Sequence, residues 1–342
     1  VRQKYGAWAF LLGVMVYEFI VVFNNSMARE NWPWLQTRVS PVLDWVMYLC
    51  FGFKILLGTK YNGRSMVCAG LLYFVARWVY FNGQNIWWLG LCVALLAAKD
   101  VPLRRVMKAF LACGVPTLAL VELLHFAGII APDAASERNG SYRLMFGYGH
   151  PNTFGGLVFG LVLAYALLRA QKVRWVDCLL VFAVGVFLLV GPASRSAALC
   201  TLALAVGLVF CRLRAGYSVP RWWPGTCAGM VGLTAAVSYL LPLLVIKVGP
   251  WNNDIGPAWL AKLDSLLTCR ISLTWMAYRL LDVKIAGQVF NWPTVDNSFA
   301  FALFQFGPVV AALLGILFAA ALWGHAKQGR RVEVCCLFAM LA

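Results

Sequence analysis

Runs of about 20 apolar residues recur from residue 5 to the end of the chain, with no long polar segment between them. Each run is long enough for an α-helix to cross the hydrocarbon core of a bilayer, which is ~30 Å thick. Hydrophobic residues make up 62% of the 342 residues and charged residues only 12%. A soluble globular protein does not have this composition. The sequence therefore predicts an all-α, polytopic integral membrane protein with one transmembrane domain over 1–342.

We predict about eleven transmembrane helices. In order, the spans are 5–23, 42–58, 66–81, 86–98, 109–130, 152–168, 175–191, 196–211, 226–247 and 298–323, with the last one starting near residue 334. Too few residues follow position 334 to cross a bilayer at 1.5 Å per residue, which predicts that this last helix is truncated.

The Lys and Arg residues predict the orientation of the chain. If the N-terminus is cytoplasmic, 18 of the 29 Lys and Arg residues fall on cytoplasmic loops, with only 3 of the 13 Asp and Glu residues. The net charge is then +15 on that side and +1 elsewhere, as the positive-inside rule requires. The basic residues form short clusters between spans rather than one stripe, so the total of +16 does not indicate a nucleic-acid partner.

Two predicted outer loops are long enough to build a site, 131–151 and 248–297. The second contains the stretch 258–286, which has helical periodicity and predicts a helix at the outer membrane interface. One stripe of this stretch carries Leu260, Leu263, Leu267 and Ile271.

Arg195 lies in the sequence GPASRS at 191–196, at a predicted outer turn between two apolar spans. A cation so close to hydrocarbon is costly without a partner. Its side chain therefore either reaches lipid phosphates as an anchor or binds an anionic ligand. Arg143, in the loop 131–151, precedes a glycine-rich stretch that lets the backbone approach a ligand.

His150 stands in that glycine-rich stretch, just before the predicted sixth span. Asn152 or Thr153 can cap this helix, and the helix N-terminus favours an anion. His150 is a candidate catalytic residue and Asn152 a candidate substrate ligand, whereas a hydrogen bond that stabilises the turn is the alternative role of His150. His125, three residues after Glu122 on a helix, is predicted to form a buried polar pair with it.

The second outer loop contains Arg270 and Arg279, which point to opposite faces of a helix at 100° per residue. We expect Arg270 to point inward, because it flanks the run ISLTWMA of the apolar face, and Arg279 to face solvent or lipid phosphate. Asp296 and Asn297 open the tenth span. Asp296 either caps this helix or acts as a base, and Asn297 is a candidate substrate ligand.

Three arginines, a histidine and an aspartate thus fall at the same predicted membrane face. Guanidinium groups bind phosphate oxygens bidentately and stay charged, which suits a polyanion such as a diphosphate. A carboxylate nearby suits a general base for a hydroxyl nucleophile. We therefore predict a diphosphate cavity. The segments that would build it are 143–153, 191–196 and 270–297.

Four short motifs follow one another in the C-terminal two thirds of the chain. They are FGYGHPNTFG at 146–155, GPASRS at 191–196, CRISLTW at 269–275 and DNSF at 296–299, followed by FG at 306–307. In order, spacing and predicted outer location they resemble the O-antigen ligase and polysaccharide polymerase family. The polymerase branch of Gram-positive capsule and exopolysaccharide clusters is the most similar.

This resemblance implies a glycosyltransferase-C-like enzyme that polymerises undecaprenyl-diphosphate-linked oligosaccharide repeat units on the outer face of the cytoplasmic membrane. It implies no cofactor and no obligatory metal. It also implies lipid-linked oligosaccharides as donor and acceptor, and a chain-length regulator and a flippase as partners. The family's diphosphate-binding arginines correspond to Arg195 and Arg270, with Arg143 as a third. Asp296 and His150 are both candidates for the base.

Three alternatives stay open. The ligase branch, which transfers the glycan to another acceptor, tends to carry His where this chain has Asp296, and that difference favours a polymerase. A transporter or flippase of the same lipid-linked sugars would bind a diphosphate equally well, but it would place coupling charges near the bilayer midplane and often has internal repeats. No internal repeat is detectable here. A non-catalytic scaffold with lipid-anchoring arginines is the third alternative.

Overall fold

The computed structural model describes residues 2–83, 86–130, 136–138, 141–214, 219–245, 257–267, 269–290, 295 and 297–341. Most of these residues are helical, and seven of the described helices are long and apolar enough to cross a membrane. The predicted class, an all-α membrane protein, is confirmed at this level, and the number of eleven spans stays a prediction. The seven helices are Gln3–Asn24, Leu35–Leu56, Leu103–Phe126, Pro151–Arg169, Arg195–Leu213, Trp223–Leu244 and Pro308–Lys327.

The helices are α1 (Arg2–Asn24), α2 (Ala28–Asn31), a π-helical turn (Leu35–Val39), α3 (Ser40–Leu56), α4 (Gly63–Gly83), α5 (Ile86–Ala97), α6 (Leu103–Phe126), α7 (Pro151–Arg169), α8 (Trp175–Val190), α9 (Arg195–Leu213), α10 (Trp223–Leu240), a 3₁₀ turn (Leu241–Leu244), α11 (Ala258–Leu266), α12 (Arg270–Leu280), α13 (Ser298–Phe306), α14 (Pro308–Lys327) and α15 (Arg331–Leu341). A hairpin of β1 (Ser136–Arg138) and β2 (Ser141–Arg143) pairs Glu137 with Tyr142 in antiparallel register.

The chain divides into two compact units. Unit 1 comprises Val1–Tyr61, Val93–Ser218 and Gly329–Ala342. In its core α1 packs against α3 and α6, and α9 packs against α7, α8 and α15. Glycines allow the closest of these approaches: a Cβ added to Gly6 on α1 would lie 2.5 Å from the Cα of Gly58, just after α3. Small residues at such positions are typical of helix interfaces in membranes.

Unit 2 comprises Asn62–Cys92 and Val219–Gln328. One of its cores is formed by α4, α5 and α14, where Val79, Trp88 and Val310 are buried. The Trp88 ring packs on Phe306 with centroids 4.6 Å apart. In the same unit, α10 packs along α14.

The predicted tenth span, 298–323, is wrong as a single helix. The chain forms α13 and α14 instead, and the two are separated at Gly307, whose φ is +82°. Pro308 then occupies the first turn of α14, where its missing N–H costs nothing. The apolar composition runs across this break, so hydropathy alone does not reveal it.

The predicted interfacial helix over 258–286 is also divided, into α11 and α12. Between them Cys269 has a φ of +65°, which interrupts the helix. The carboxylate of Asp264, on α11, accepts hydrogen bonds from the backbone N–H groups of Ile271 at 2.8 Å and Ser272 at 3.1 Å. Asp264 therefore caps α12, and a residue of α11 stabilises the turn between the two helices.

One end of unit 1, where α1 begins and α3 and α7 finish, is called here the basic end. Its Lys54 is only 2% exposed. The ammonium group donates hydrogen bonds to the Gly58 carbonyl at 3.2 Å, the Thr59 hydroxyl at 2.7 Å and the Lys99 carbonyl at 2.9 Å. Three acceptors match the three donors of an ammonium group, so this buried charge is fully satisfied.

Asp177, near the start of α8, is the second buried charge at the basic end. It accepts hydrogen bonds from the Tyr165 hydroxyl at 2.5 Å, from Arg169 Nε at 3.2 Å and from the backbone N–H of Arg174 at 2.7 Å. These contacts connect the end of α7 to the start of α8 across a short turn. The charges at this end therefore stabilise the structure.

Candidate functional site

The opposite end of unit 1, where α1 and α6 finish and α7 and α9 begin, is called the site end. The loop after α1 lies beside the loop before α7. The Met27 N–H donates a hydrogen bond to the Gly147 carbonyl at 2.8 Å, and Ser26 forms an isolated β-bridge with Tyr148. Two loops separated by more than a hundred residues are thus joined by their backbones.

Arg143, on β2, connects this hairpin to the turn between α8 and α9. Its side chain is only 8% exposed. Nε donates to the Pro192 carbonyl at 3.4 Å, and Nη2 donates to the Ala193 carbonyl at 3.2 Å and to Asn152 Oδ1 at 3.2 Å. The sequence predicts Arg143 as a third diphosphate ligand. In the structure its guanidinium holds the 192–193 turn against the start of α7, and its role as a diphosphate ligand stays a prediction.

The same turn packs closely against α7 because position 155 is glycine. A Cβ added to Gly155 would lie 2.6 Å from Ser194 Cβ and 3.1 Å from Ala197 Cβ. Ser194 is buried, and its hydroxyl lies 3.4 Å from Asn152 Oδ1. The last glycine of the FGYGHPNTFG motif therefore serves the packing of α7 on α9.

Arg195 is the first residue of α9, and its side chain is exposed. Among the residues that the structure describes, no hydrogen bond or ion pair to its guanidinium is present. A cation gains nothing from the positive end of a helix dipole, whereas an anion placed there would interact with both the guanidinium and the N–H groups of the first turn. This position suits a phosphate group.

His150 is the N-cap of α7, a role that the sequence analysis assigned to Asn152 or Thr153. Its Nδ1 accepts a hydrogen bond from the Asn152 N–H at 3.1 Å. Pro151 fills the first helical position, where proline is favoured, and this makes the preceding residue the cap. A neutral imidazole that accepts at Nδ1 carries its proton at Nε2. In this state His150 can donate a hydrogen bond to a ligand but cannot accept a proton at Nε2.

An open cleft of about 370 Å³ lies at the site end. Its size falls within the usual range of small-ligand sites, roughly 300–1,000 Å³. An amide, a guanidinium, a carboxylate, an imidazole and a hydroxyl line it, so it offers both donors and acceptors to a hydroxylated ligand. The lining residues are Asn25, Met27, Arg29, Glu30, Met145, Gly149, His150 and Thr153.

Sequence reasoning missed Arg29 and Glu30. They lie in a short polar stretch between the first two predicted spans and match no motif, and only the pairing of this stretch with the loop before α7 brings them beside His150. The available signal was a pair of opposite charges in a predicted outer loop.

Two predicted site residues lie in unit 2, which is described by itself. Arg270 begins α12 and is half-buried, whereas Arg279 near its end is exposed, with its guanidinium 5.3 Å from the centroid of the Trp275 ring. This difference in burial agrees with the predicted inward direction of Arg270.

Asn297 is the N-cap of α13. Its Oδ1 accepts hydrogen bonds from the N–H groups of Phe299 at 3.0 Å and Ala300 at 3.2 Å. The cap that the sequence analysis considered for Asp296 thus belongs to the next residue, and only the side-chain nitrogen of Asn297 remains for a ligand. Asp296 itself lies outside the described residues.

Of the predicted site residues, the structure brings together Arg143, His150, Asn152 and Arg195, all at the site end of unit 1. Within the described ranges, no group of three or more His, Cys, Asp or Glu side chains is placed to hold a metal ion. Comparison with family models, curated proteins and solved structures finds no match to this chain.

Proposed function

We propose that the chain is a membrane glycosyltransferase that polymerises undecaprenyl-diphosphate-linked oligosaccharide repeat units. One observation carries the proposal: the exposed Arg195 guanidinium has no hydrogen bond or ion pair among the described residues and stands at the N-terminus of α9. The order of the motifs, which resembles that of polysaccharide polymerases, supports it. The proposed location is the outer face of the cytoplasmic membrane, to which the charge distribution assigns the site end.

Arg195 is the proposed diphosphate ligand in unit 1. Its guanidinium would bind phosphate oxygens bidentately, and the N–H groups of the first turn of α9 would bind further oxygens. Arg143 would keep the turn before α9 in place by its contacts with Pro192 and Ala193. For Arg270, in unit 2, the same role stays a prediction from the sequence and is tested separately.

The reaction is a substitution at the anomeric carbon of the donor sugar. A hydroxyl oxygen of the acceptor forms the new glycosidic bond while the bond between the anomeric carbon and the diphosphate oxygen breaks. The electron pair of the broken bond stays on the diphosphate, and the hydroxyl proton passes to a base. Arg195 would lower the barrier by stabilising the charge that develops on the leaving diphosphate.

The base is proposed among three residues. Asp296 and His150 are the two bases predicted from the sequence. With Nδ1 accepting the Asn152 N–H, His150 is suited to orient the acceptor by donating a hydrogen bond. Glu30 lines the same cleft, and its carboxylate can accept a proton, so we add it as the third candidate.

The acceptor glycan is the proposed occupant of the cleft. A sugar has several hydroxyl groups that both donate and accept, and the amide of Asn25, the hydroxyl of Thr153 and the charged groups of Arg29 and Glu30 offer matching partners. A flippase that supplies the donor and a chain-length regulator are proposed as partners on the resemblance alone.

Purified protein in detergent with lipid-linked repeat units tests the proposal. The expected result is a ladder of lipid-linked polymers that is lost with Arg195→Ala and kept with Arg38→Ala. Arg38 is a matched control because it is exposed and follows the loop after α1, but it does not begin a helix. Arg270→Ala tests the predicted residue of unit 2 on its own.

Two other results would replace the proposal. Movement of repeat units across vesicle membranes without chain growth would indicate a transporter. In a strain that lacks the protein, accumulation of long lipid-linked polymer instead of single repeat units would indicate a ligase.

A further inference from the structure

A buried carboxyl group on the first membrane-spanning helix takes no part in the proposed reaction. Glu18, on α1, is only 3% exposed, and within the described part of the chain its carboxylate forms no hydrogen bond or ion pair. It precedes the end of α1 at Asn24 by six residues, or ~9 Å at 1.5 Å per residue. An ionised carboxylate without partners is costly in such a place, and ionisable groups inside membranes usually have a function.

The neighbouring helix makes room for this carboxyl group. A Cβ added to Gly114 on α6 would lie 2.6 Å from Glu18 Oε1 and 3.2 Å from Glu18 Cγ. On its other side the same position meets Leu161 of α7, at 2.6 Å from Cδ2. Glu18 thus points into the interior of unit 1, between α1 and α6, and not toward lipid.

A second buried polar group lies on the side of Glu18 that faces the site end. Tyr148 is fully buried, and its hydroxyl has no hydrogen-bond partner among the residues that the structure describes. Its ring packs with Val22, one turn after Glu18 on α1, and with Val121 on α6. Burial raises the pKa of Tyr148, and the negative charges of Glu122 and Glu18 raise it further. Glu18 and Tyr148 are thus two buried polar groups in the interior of unit 1.

Within the described ranges, no cation forms an ion pair with Glu18. The other titratable groups near it are the Tyr17 phenol on α1 and the Cys113 thiol on α6, whose Sγ lies 3.0 Å from the Met15 carbonyl oxygen. Among the titratable groups at this end of α6, His125 can carry a positive charge, and it acts on Glu122. Lys54, on α3, uses its three donors at the basic end.

We propose that Glu18 is a proton-binding site within the membrane. The proton is exchanged with water at the site end. Protonation removes the cost of a buried carboxylate that has no partner among the described residues. The proposal does not depend on glycosyl transfer.

Infrared difference spectroscopy of the full chain in detergent tests the proposal. We expect a carbonyl band of a protonated carboxylic acid in the wild-type spectrum that is absent from Glu18→Gln. The band should disappear reversibly as the buffer is made alkaline. Gln has the shape of the neutral acid, so the fold should be kept. Asp100→Asn is the matched control, because Asp100 is exposed and paired with Lys99, and it should leave the band unchanged.

Tyr148→Phe provides the second variant. It removes only the hydroxyl, which is not bonded to Glu18 in the structure, so the band should remain. Three results would overturn the proposal: no difference between wild type and Glu18→Gln at any pH, a band that does not respond to pH, or a band that is removed by sodium but not by choline. The last result would identify a metal cation as the ligand in place of the proton.

Discussion

The two ends of unit 1 use charged side chains in opposite ways. At the basic end, Lys54 and Asp177 are buried, and each is surrounded by three hydrogen-bond partners. At the site end, Arg195 is exposed without an ion pair or hydrogen bond among the described residues, and the buried Tyr148 hydroxyl has no partner. A buried charge is tolerated only when it is paired, so the paired charges of the basic end stabilise the fold there. The site end keeps polar groups available for a ligand.

The largest effect is expected when the unpaired arginine is removed. Arg195→Ala should lower the rate of chain growth on the order of 10²-fold or more, as the loss of a charge-stabilising donor does. The midpoint of thermal unfolding should not change, because the side chain has no partner to lose. The rate of Arg195→Lys should lie between those of the wild type and Arg195→Ala, since lysine keeps the charge but not the bidentate geometry. A large fall in stability for Arg195→Ala would place this residue with the structural charges of the basic end.

Removing a paired charge should have the reverse pattern. Asp177→Ala should reduce the free energy of unfolding by about 2 kcal/mol, because Tyr165, Arg169 and the Arg174 N–H lose a charged acceptor. Chemical denaturation measures this change, and the rate of chain growth per folded molecule should stay that of the wild type. A variant with full stability and a reduced rate would contradict the comparison between the two ends.

A smaller effect is expected at the close contact between α7 and the turn before α9. Gly155→Ala should cost about 1–2 kcal/mol by overpacking against Ser194. It should also slow chain growth, because the displaced turn carries Arg195. Adding Ser194→Gly removes the side chain that the new methyl group meets, and it should recover part of both losses. If the double variant is worse than Gly155→Ala, the contact with Ser194 is not the cause.

The smallest effect is expected for an exposed arginine that does not line the cleft. Arg38→Ala should change the free energy of unfolding by about 0.5 kcal/mol or less and leave the rate of chain growth unchanged. A loss of activity comparable to that of Arg195→Ala would mean that positive charge at this end, and not the position of Arg195, is what the substrate requires.

Apolar run length predicted the helices well where one run corresponds to one helix. The predicted spans 5–23, 152–168 and 175–191 agree with α1, α7 and α8 to within a few residues. A hydrocarbon core of fixed thickness and the hydrogen bonding of the backbone leave little choice for such runs.

The breaks inside apolar runs were missed for a local reason. Gly307 and Cys269 adopt positive φ values, and neither interrupts hydropathy or periodicity. The sequence Gly307-Pro308 is itself a known signal for a helix boundary. At Cys269 the sequence holds no such signal, because the cap comes from Asp264 on the preceding helix.

The residues of the candidate site were predictable in part, but their contacts were not. The motifs identified Arg195 at an outer turn and His150 just before a membrane span, whereas Arg29 and Glu30 match no motif. That Arg143 binds the turn at 192–193, and that Glu30 shares a cleft with His150, depends on segments far apart in the chain. Such pairings follow from packing, which periodicity and spacing do not encode.

Binding of undecaprenyl diphosphate to the purified chain in detergent, measured by calorimetry, tests most directly whether the site end is a ligand site. Arg195→Ala should weaken binding about tenfold or more, since a hydrogen bond between charged groups contributes roughly 1.5–3 kcal/mol and 1.4 kcal/mol is tenfold in affinity. Arg38→Ala and Asp177→Ala should bind as the wild type does. Equal affinity of the wild type and Arg195→Ala would contradict the account.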